Sequence, residues 1–384
     1  MIELFDPHSN EWLLNKFNFY KILREQDKAY FSEKYQMYII TRYDDIVFAL
    51  NNPDIFSSAK GNLIVESPHR FNNTLGASDN PVHDIFKNIV KEAYSKKNIE
   101  RVAGCLTTHA KPLLAEKNEI NISEVIEHLS AWTTAEILNI PYDKEKIKNL
   151  VFDIQRTSPN AVQNSPNDHA SLQLKNILFF LASTNKKTPS TGPGIYHEFI
   201  NNNPKDLNIT SLFTGPTLSG ASSLTGGLQF LILDLYREGL VDTVFKDRSL
   251  IPNAVNESLR FNASTGRFSR TVLKETTLHG INLKPGDRVA VCLESGNRDS
   301  SKFNNPDVFD LNRDTSGHLA FGHGLHSCIA LAISKSLLTE FLSVVFDYFG
   351  KYKIITPDSE LKYVMTASGN DDMINNIHIA KDSQ

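Results

Sequence analysis

Ten residues carry the densest set of chemically useful side chains in the sequence: Phe321-Gly-His-Gly-Leu-His-Ser-Cys328-Ile-Ala330. Gly322 and Gly324 lack a Cβ, tolerate positive φ, and let the backbone pass close to something flat. A helix-like run follows, from Ile329 to Phe346, so Cys328 sits near a helix start. Unpaired N–H groups and the positive dipole end stabilise a thiolate there, and a thiolate is one of the axial ligands open to haem iron. The plain alternative is a free cysteine buried in a turn, since cysteine often behaves as a small hydrophobe.

A second stretch, Thr217-Leu-Ser-Gly-Ala-Ser-Ser-Leu-Thr225, holds five hydroxyl residues and runs into Gly226 and Gly227. The hydroxyls can hold a water or pass on a hydrogen bond. The composition makes a poor helix, so a local bulge or kink is expected, and the serines could instead only satisfy backbone groups there. Further on, Ile251-Pro-Asn-Ala-Val-Asn-Glu-Ser-Leu-Arg260 reads as a helix with Pro252 in its first turn. Glu257 and Arg260 lie three apart on one face of it and can pair.

Together these segments resemble the cytochrome P-450 family. Phe321-Gly322-x-Gly324-x-His326-x-Cys328-x-Ala330 is similar to the family's haem-binding signature, with Ala330 where glycine is usual. Glu257-x-x-Arg260 resembles its helix motif, and Asn297-Arg298-Asp299 with Phe303, Pro306, Phe309-Asp310 and Arg313 resembles its meander. The likeness runs from about residue 10 to about residue 350.

The resemblance implies a mainly α fold with small β-sheets: one large helical domain over residues 1–384 with a minor β-rich subdomain, of the soluble bacterial type. It implies heme b, with Cys328 as the iron ligand and Phe321 and Gly322 beside the ring. His326 and Arg270 fall where the family places propionate donors, and Arg267 is a nearby rival to Arg270. His83, in Asp79-Asn-Pro-Val-His83, and Lys87 correspond to a further propionate pair, with lysine where arginine and its bidentate fork are more frequent. The Glu257–Arg260 pair is then buried and bridges to Arg313, in a structural role.

The implied activity is that of a haem-thiolate oxidoreductase. It activates dioxygen with electrons from a ferredoxin or flavodoxin and oxidises, typically hydroxylates, a small hydrophobic or aromatic molecule in secondary metabolism. Oxidative coupling of phenols and peroxide-driven oxidation are the alternatives on the same scaffold, and a non-catalytic haem sensor is the alternative of another class. The acid and alcohol that serve proton delivery in the family are altered. Anchoring on Gly220 puts Ser222 at the acid position and Ser223 at the alcohol position; counting back from Glu257 allows Ala221 and Ser222 instead. Either way the carboxylate is missing, which leaves ordered water, a substrate hydroxyl or peroxide to take its place.

The elements that position these residues are legible in part. Tyr35-Gln-Met-Tyr-Ile-Ile-Thr41 reads as a strand, followed by a short helix to about Asn51 capped by Asp44 or Asp45. Residues 57–78 read as a polar loop, over the substrate pocket by resemblance and a solvated surface loop by composition. Asp79 leads into an amphipathic helix through Ile85, Phe86, Ile89 and Val90. Lys91, Lys96, Lys97 and Arg101 continue a basic run, either a solvated face or a docking face for an acidic electron donor. From about 120 to 250 the periodicity is mostly helical, with breaks at Pro141, Pro159, Pro166, Pro189 and Pro193 and a loop at 184–194. His279 through Val291 reads as a hairpin around Lys284-Pro-Gly286, and Val364 to Gly369 as a strand-turn tip reaching into the pocket.

Composition bounds the rest. Forty percent hydrophobic and 22% charged residues over 384 positions describe an ordinary globular protein, and a net charge of −4 gives no reason to expect nucleic acid. Three scattered cysteines make no disulfide framework. No leader is visible and no stretch nears the ~18 apolar residues of a membrane span, so a reducing, cytoplasmic setting without a membrane is expected. No nucleotide-binding fingerprint appears, so electrons must come from a separate protein. The 23 Phe and 12 Tyr favour an apolar pocket.

Overall fold

The computed structural model describes residues 3–66, 68–138, 220–366 and 369–382. The proline breaks from Pro141 to Pro193, the loop at 184–194 and residues 217–219 of the hydroxyl-rich stretch lie outside the described residues.

Helix α1 (Asn10–Glu25) is capped by Ser9, whose hydroxyl accepts from the Trp12 N–H. Strands β1 (Tyr30–Ser32) and β2 (Met37–Ile40) form an antiparallel pair and lead into α2 (Tyr43–Asn51). Asp44 and Asp45 do not cap α2; they lie within its first turn, and the Tyr43 N–H donates to the carboxylate of Asp299 at 2.9 Å. That cap comes from 256 residues away in sequence, so no local signal could announce it.

After β3 (Phe56–Ser57) come α3 (Val82–Val90), α4 (Lys96–Leu114), β4 (Glu119–Asn121) and α5 (Ile122–Leu138). Helices α6 (Ala221–Arg237), α7 (Val241–Lys246) and α8 (Ile251–Phe261) follow, then strands β5 (Arg267–Val272), β6 (Thr276–Leu278), β7 (Ile281–Leu283) and β8 (Arg288–Cys292). Short α9 (Leu293–Gly296) precedes the irregular segment to the Cys328 loop, which α10 (Leu331–Val344) leaves. Strands β9 (Tyr352–Ile354), β10 (Lys362–Met365), β11 (Asp372–Asn375) and β12 (His378–Lys381) close the described chain.

The architecture is mainly helical with small sheets. Helices α4, α5, α6, α8 and α10 share one apolar core, in which Trp132, Leu231, Val255 and Phe341 are all buried. The largest sheet has the order β1-β2-β8-β5-β3, parallel only between β2 and β8. The expected hairpin at 279–291 divides in two. β7 pairs back onto β6 across His279-Gly280, and β8 joins β5; the Asp287 N–H closes a turn onto the Lys284 carbonyl while Gly286 donates to the Val272 carbonyl. Both halves alternate apolar residues; only long-range pairing tells which strand each one meets.

The Glu257–Arg260 pair is fully buried. The guanidinium grips the carboxylate at 2.7 and 2.8 Å and donates to the carbonyls of Asn297 and Pro306. Arg313 Nε donates to the same carboxylate at 3.1 Å. α8 is thereby fixed to the segment that carries the chain to Cys328. At the other side, Gly226 lets α6 approach the C-terminal turn: a Cβ there would lie 2.3 Å from the Asp372 carbonyl oxygen.

Candidate active site

One cavity of about 350 Å³ collects most of the predicted residues on its wall. Cys328, His326, Phe321 and Gly322 come from the loop before α10; His83 and Lys87 from α3; Arg270 from β5; Gly220 and Ser223 from the start of α6. Asn62, Leu63 and Leu75 line it from the 57–78 segment, so that stretch is a cavity wall and not merely a solvated loop.

The Cys328 loop is closed on itself, its N–H donating to the Phe321 carbonyl at 2.9 Å. Gly322 and Gly324 have φ of 67° and 70°, the left-handed region that glycine enters without strain. A Cβ on Gly324 would also strike the Leu50 carbonyl at 2.5 Å, so this loop lies flush on the end of α2. Cys328 is accessible from the cavity, although protein surrounds it. Burial pushes its thiol up, opposed by the Ala330 N–H.

A cationic corner flanks this loop. His83 and His326 meet edge to face, centroids 4.6 Å apart. His326 Nε2 is buried with no protein partner, and its imidazole is held neutral, at about 2, by burial and by Arg270, His83 and Lys87 nearby. Arg270 is buried, donates to its neighbour's carbonyl at 2.8 Å, and is lowered to about 10 because burial outweighs the more distant Asp79. Its rival Arg267 points the opposite way, bonding Glu294 at 2.6 Å and Asp372 at 2.9 Å, and does not line the cavity. Three residues apart on an extended strand, the two arginines face opposite sides.

The hydroxyl-rich helix start is only partly as expected. Gly220 is wound as a π-type turn, and Ser264 donates from outside to the Ser223 carbonyl at 2.7 Å, an inserted bond of the kind that opens a helix. Ser223 faces the cavity. Ser222 does not: it is fully buried, and its hydroxyl donates to Asp371 at 2.8 Å. Asp371 does line the cavity, together with Thr366 and Asn370 of the same turn. Sequence reading missed this carboxylate, although the tip just before it was expected to reach the pocket. The signal was present as two adjacent acids, Asp371-Asp372, directly after that turn.

The family model described as Cytochrome P450 matches residues 243–358, the span from α7 through the Cys328 loop and α10 to the segment after β9. Pulcherriminic acid synthase from Bacillus subtilis (strain 168) is 25% identical over 90% of this chain and 91% of its own. The solved structure of CYP109E1 from Bacillus megaterium, in complex with testosterone, superposes with a TM-score of 0.84 at 22% identity, covering 97% of this chain and all of that one. P450BioI, solved with an acyl carrier protein carrying hexadec-9Z-enoic acid, gives 0.83 at 18% identity over 97% and 100%. In sequence and in fold, this chain is similar to the cytochromes P450.

Likeness to P450s implies a haem held through a cysteine thiolate, and the donor set can be tested against that. A ring with two carboxylates needs a soft axial donor, a flat backbone approach and cationic or N–H donors at one edge. Cys328 supplies a thiol, Gly322 and Gly324 the approach, and His326 Nε2 a buried donor with no protein partner. Arg270 and Lys87 add positive charge at that edge, and among the described residues neither has a carboxylate at ion-pair distance. The residues fit the group. His323 also lines the cavity; His318 does not, and instead accepts from the Ala320 N–H. Among the described residues no helix is long and apolar enough to cross a membrane.

Proposed function

We propose that this chain is a cytochrome P450 monooxygenase that binds heme b through Cys328, draws electrons from a ferredoxin- or flavodoxin-type donor, and oxidises a small hydrophobic or aromatic molecule. The observation that carries the reading is the convergence on one cavity of an accessible thiol and an unpartnered imidazole N with uncompensated cationic charge. When bound, haem supplies the one-electron and dioxygen chemistry, and a thiolate ligand favours O–O cleavage. Cys328 would hold the iron, His83, Lys87, Arg270 and His326 would hold the carboxylates, and Phe321 and Gly322 would contact the ring; Ser223 and Gly220 line the same cavity.

The apolar walls from Leu63, Leu75, Leu224 and Phe268 suit a substrate with little charge. Names among the relatives, a pulcherriminic acid synthase and a protein solved with testosterone, support a small organic substrate. Lys91, Lys96 and Lys97 are exposed, and α4 packs along α10, the helix that leaves the Cys328 loop. An acidic donor steered to that face would deliver electrons on the thiolate side. Phenol coupling and peroxide-driven turnover drew their case from a missing carboxylate. Asp371 supplies one at the cavity wall, so no observation now favours them over monooxygenation.

A spectral titration of the purified ferric protein with phenols, methoxyarenes, terpenes and fatty acids tests the substrate class. Displacement of a water ligand by an apolar or aromatic member, followed by oxygen insertion with a surrogate electron donor, is the expected result. Coupled dimers without added oxygen, or no response from any class, would overturn it.

A further inference from the structure

The cavity wall is electrically lopsided. Its cationic groups include Lys87, Arg270 and Arg70, the last paired with Glu66. Among the described residues that line it, Asp371 is the single acidic side chain. It stands on the side formed by α6 and the C-terminal turn, and its partners are unusual for a buried carboxylate. Ser222 donates to Oδ2 at 2.8 Å and Thr265 to Oδ1 at 2.6 Å. No cation lies within ion-pair distance of it among the described residues. Its flanking residues are tied to the rest of the chain: the Asp371 N–H donates to Thr366 Oγ1, Asp372 N–H to the Ser264 carbonyl at 2.7 Å, and Gly266 N–H to the Asn370 carbonyl at 3.0 Å. α6 itself carries no acid from Ala221 to Leu233, and Asp234 is turned into the core against Ser258 and Asn262.

We propose that Asp371, supplied by the C-terminal turn and oriented by Ser222 and Thr265, is the proton donor of this cavity. A carboxyl that is buried, hydroxyl-held and open to a reaction space is suited to general acid work. Burial lifts its ionisation to about 6, with the Thr265 and Ser222 hydroxyls opposing, the adjacent Asp372 adding to the rise and the more distant Arg267 opposing it. In the step, the Asp371 O–H bond breaks and the proton passes to a water or a substrate oxygen in the cavity. Both hydroxyls donate to the carboxylate that remains, and a proton from solvent arriving through the cavity restores the acid. No electron moves at Asp371; the external donor and dioxygen named above supply the redox balance. Ser222 and Thr265 are positioning residues in this account, and Ser222 acts without reaching the cavity itself.

This inference rests on the monooxygenase reading, and the test separates the two. The haem-loaded protein is titrated between pH 4 and 8 while its carboxyl C=O infrared band is followed, in the parent, D371N, S222A and T265V. Haem content and the reduced carbon monoxide spectrum of each sample report on the monooxygenase reading alone. The expected result is a band that titrates near pH 6 in the parent and is missing from D371N. A second band, from Asp234 near 7, should persist in D371N. S222A and T265V, each losing a donor to the anion, should move the Asp371 midpoint upward. In turnover, D371N should lower kcat about a hundred-fold with little change in KM, and should lack the fall in rate above pH 6 expected of the parent. An Asp371 band already ionised at pH 4, or a D371N rate profile equal to the parent's with haem intact, would overturn the proposal. Should D371N not retain haem, an unmoved midpoint in S222A and T265V overturns it equally, and an upward one supports it.

Discussion

Two sets of buried charge lie on opposite sides of the same strands, and they are treated in opposite ways. On the side away from the cavity, Arg267 and Lys16 meet Glu294 and Asp372, two cations against two carboxylates. Burial pushes the Glu294 carboxyl up, but Arg267 and Lys16 outweigh it and hold the group below the usual range. On the cavity side, Arg270 and Asp371 are as deeply enclosed, yet neither has an opposite charge within ion-pair distance among the described residues. Asp371 and Asp372 are neighbours in sequence, and Arg267 and Arg270 are separated by a strand's odd spacing, so the backbone alone sorts them onto the two sides. A balanced cluster locks strands and helices together. Uncompensated charge beside a cavity marks where a ligand's charge or a mobile proton belongs.

The contrast can be broken most forcefully at the arginines. Arg267→Met strands two carboxylates with Lys16 alone and should cost about 3–5 kcal/mol of stability. Arg270→Met should shift stability by less than about 1 kcal/mol while weakening haem retention. Denaturant midpoints and haem content read both; equal destabilisation by the two would erase the distinction between the sides.

A smaller effect comes from the raised carboxyl. Asp371 binds its proton more tightly in the folded chain, at about 6, than in the unfolded one. Its contribution is therefore fully present below about pH 4 and is lost as the pH rises through about 6. The loss is about 3 kcal/mol. Asp371→Asn lacks that slope, so the parent should lose stability relative to the variant across this window. Parallel curves for the two proteins would mean that Asp371 is already ionised. The smallest change is at His326: alanine there removes a donor that no protein group uses, so apo stability should hold while haem affinity drops about tenfold.

Much of this was legible because the informative motifs are local. The Cys328 loop and the Glu257–Arg260 helix each fit within ten residues or fewer, and their geometry follows from glycine, spacing and helix periodicity. The groups expected to share a site do line one cavity, apart from Ser222. Its reading failed because helix register alone does not say what stands opposite a side chain; its partner Asp371 lies 149 residues away. Pairing over long separations also hid the α2 cap from Asp299 and the division of the 279–291 hairpin. The choice between Arg267 and Arg270 needed the strand's facing, which the composition around them does not carry.

The central claim is that Cys328 holds haem iron as a thiolate inside this cavity, and the reduced carbon monoxide difference spectrum tests it most directly. The parent should give the strongly red-shifted main band of a thiolate-ligated haem, replaced in Cys328→Ser by the blue-lying band of a non-thiolate haem or by no haem at all. A parent without that band, or a Cys328→Ser variant that keeps it, would contradict the account.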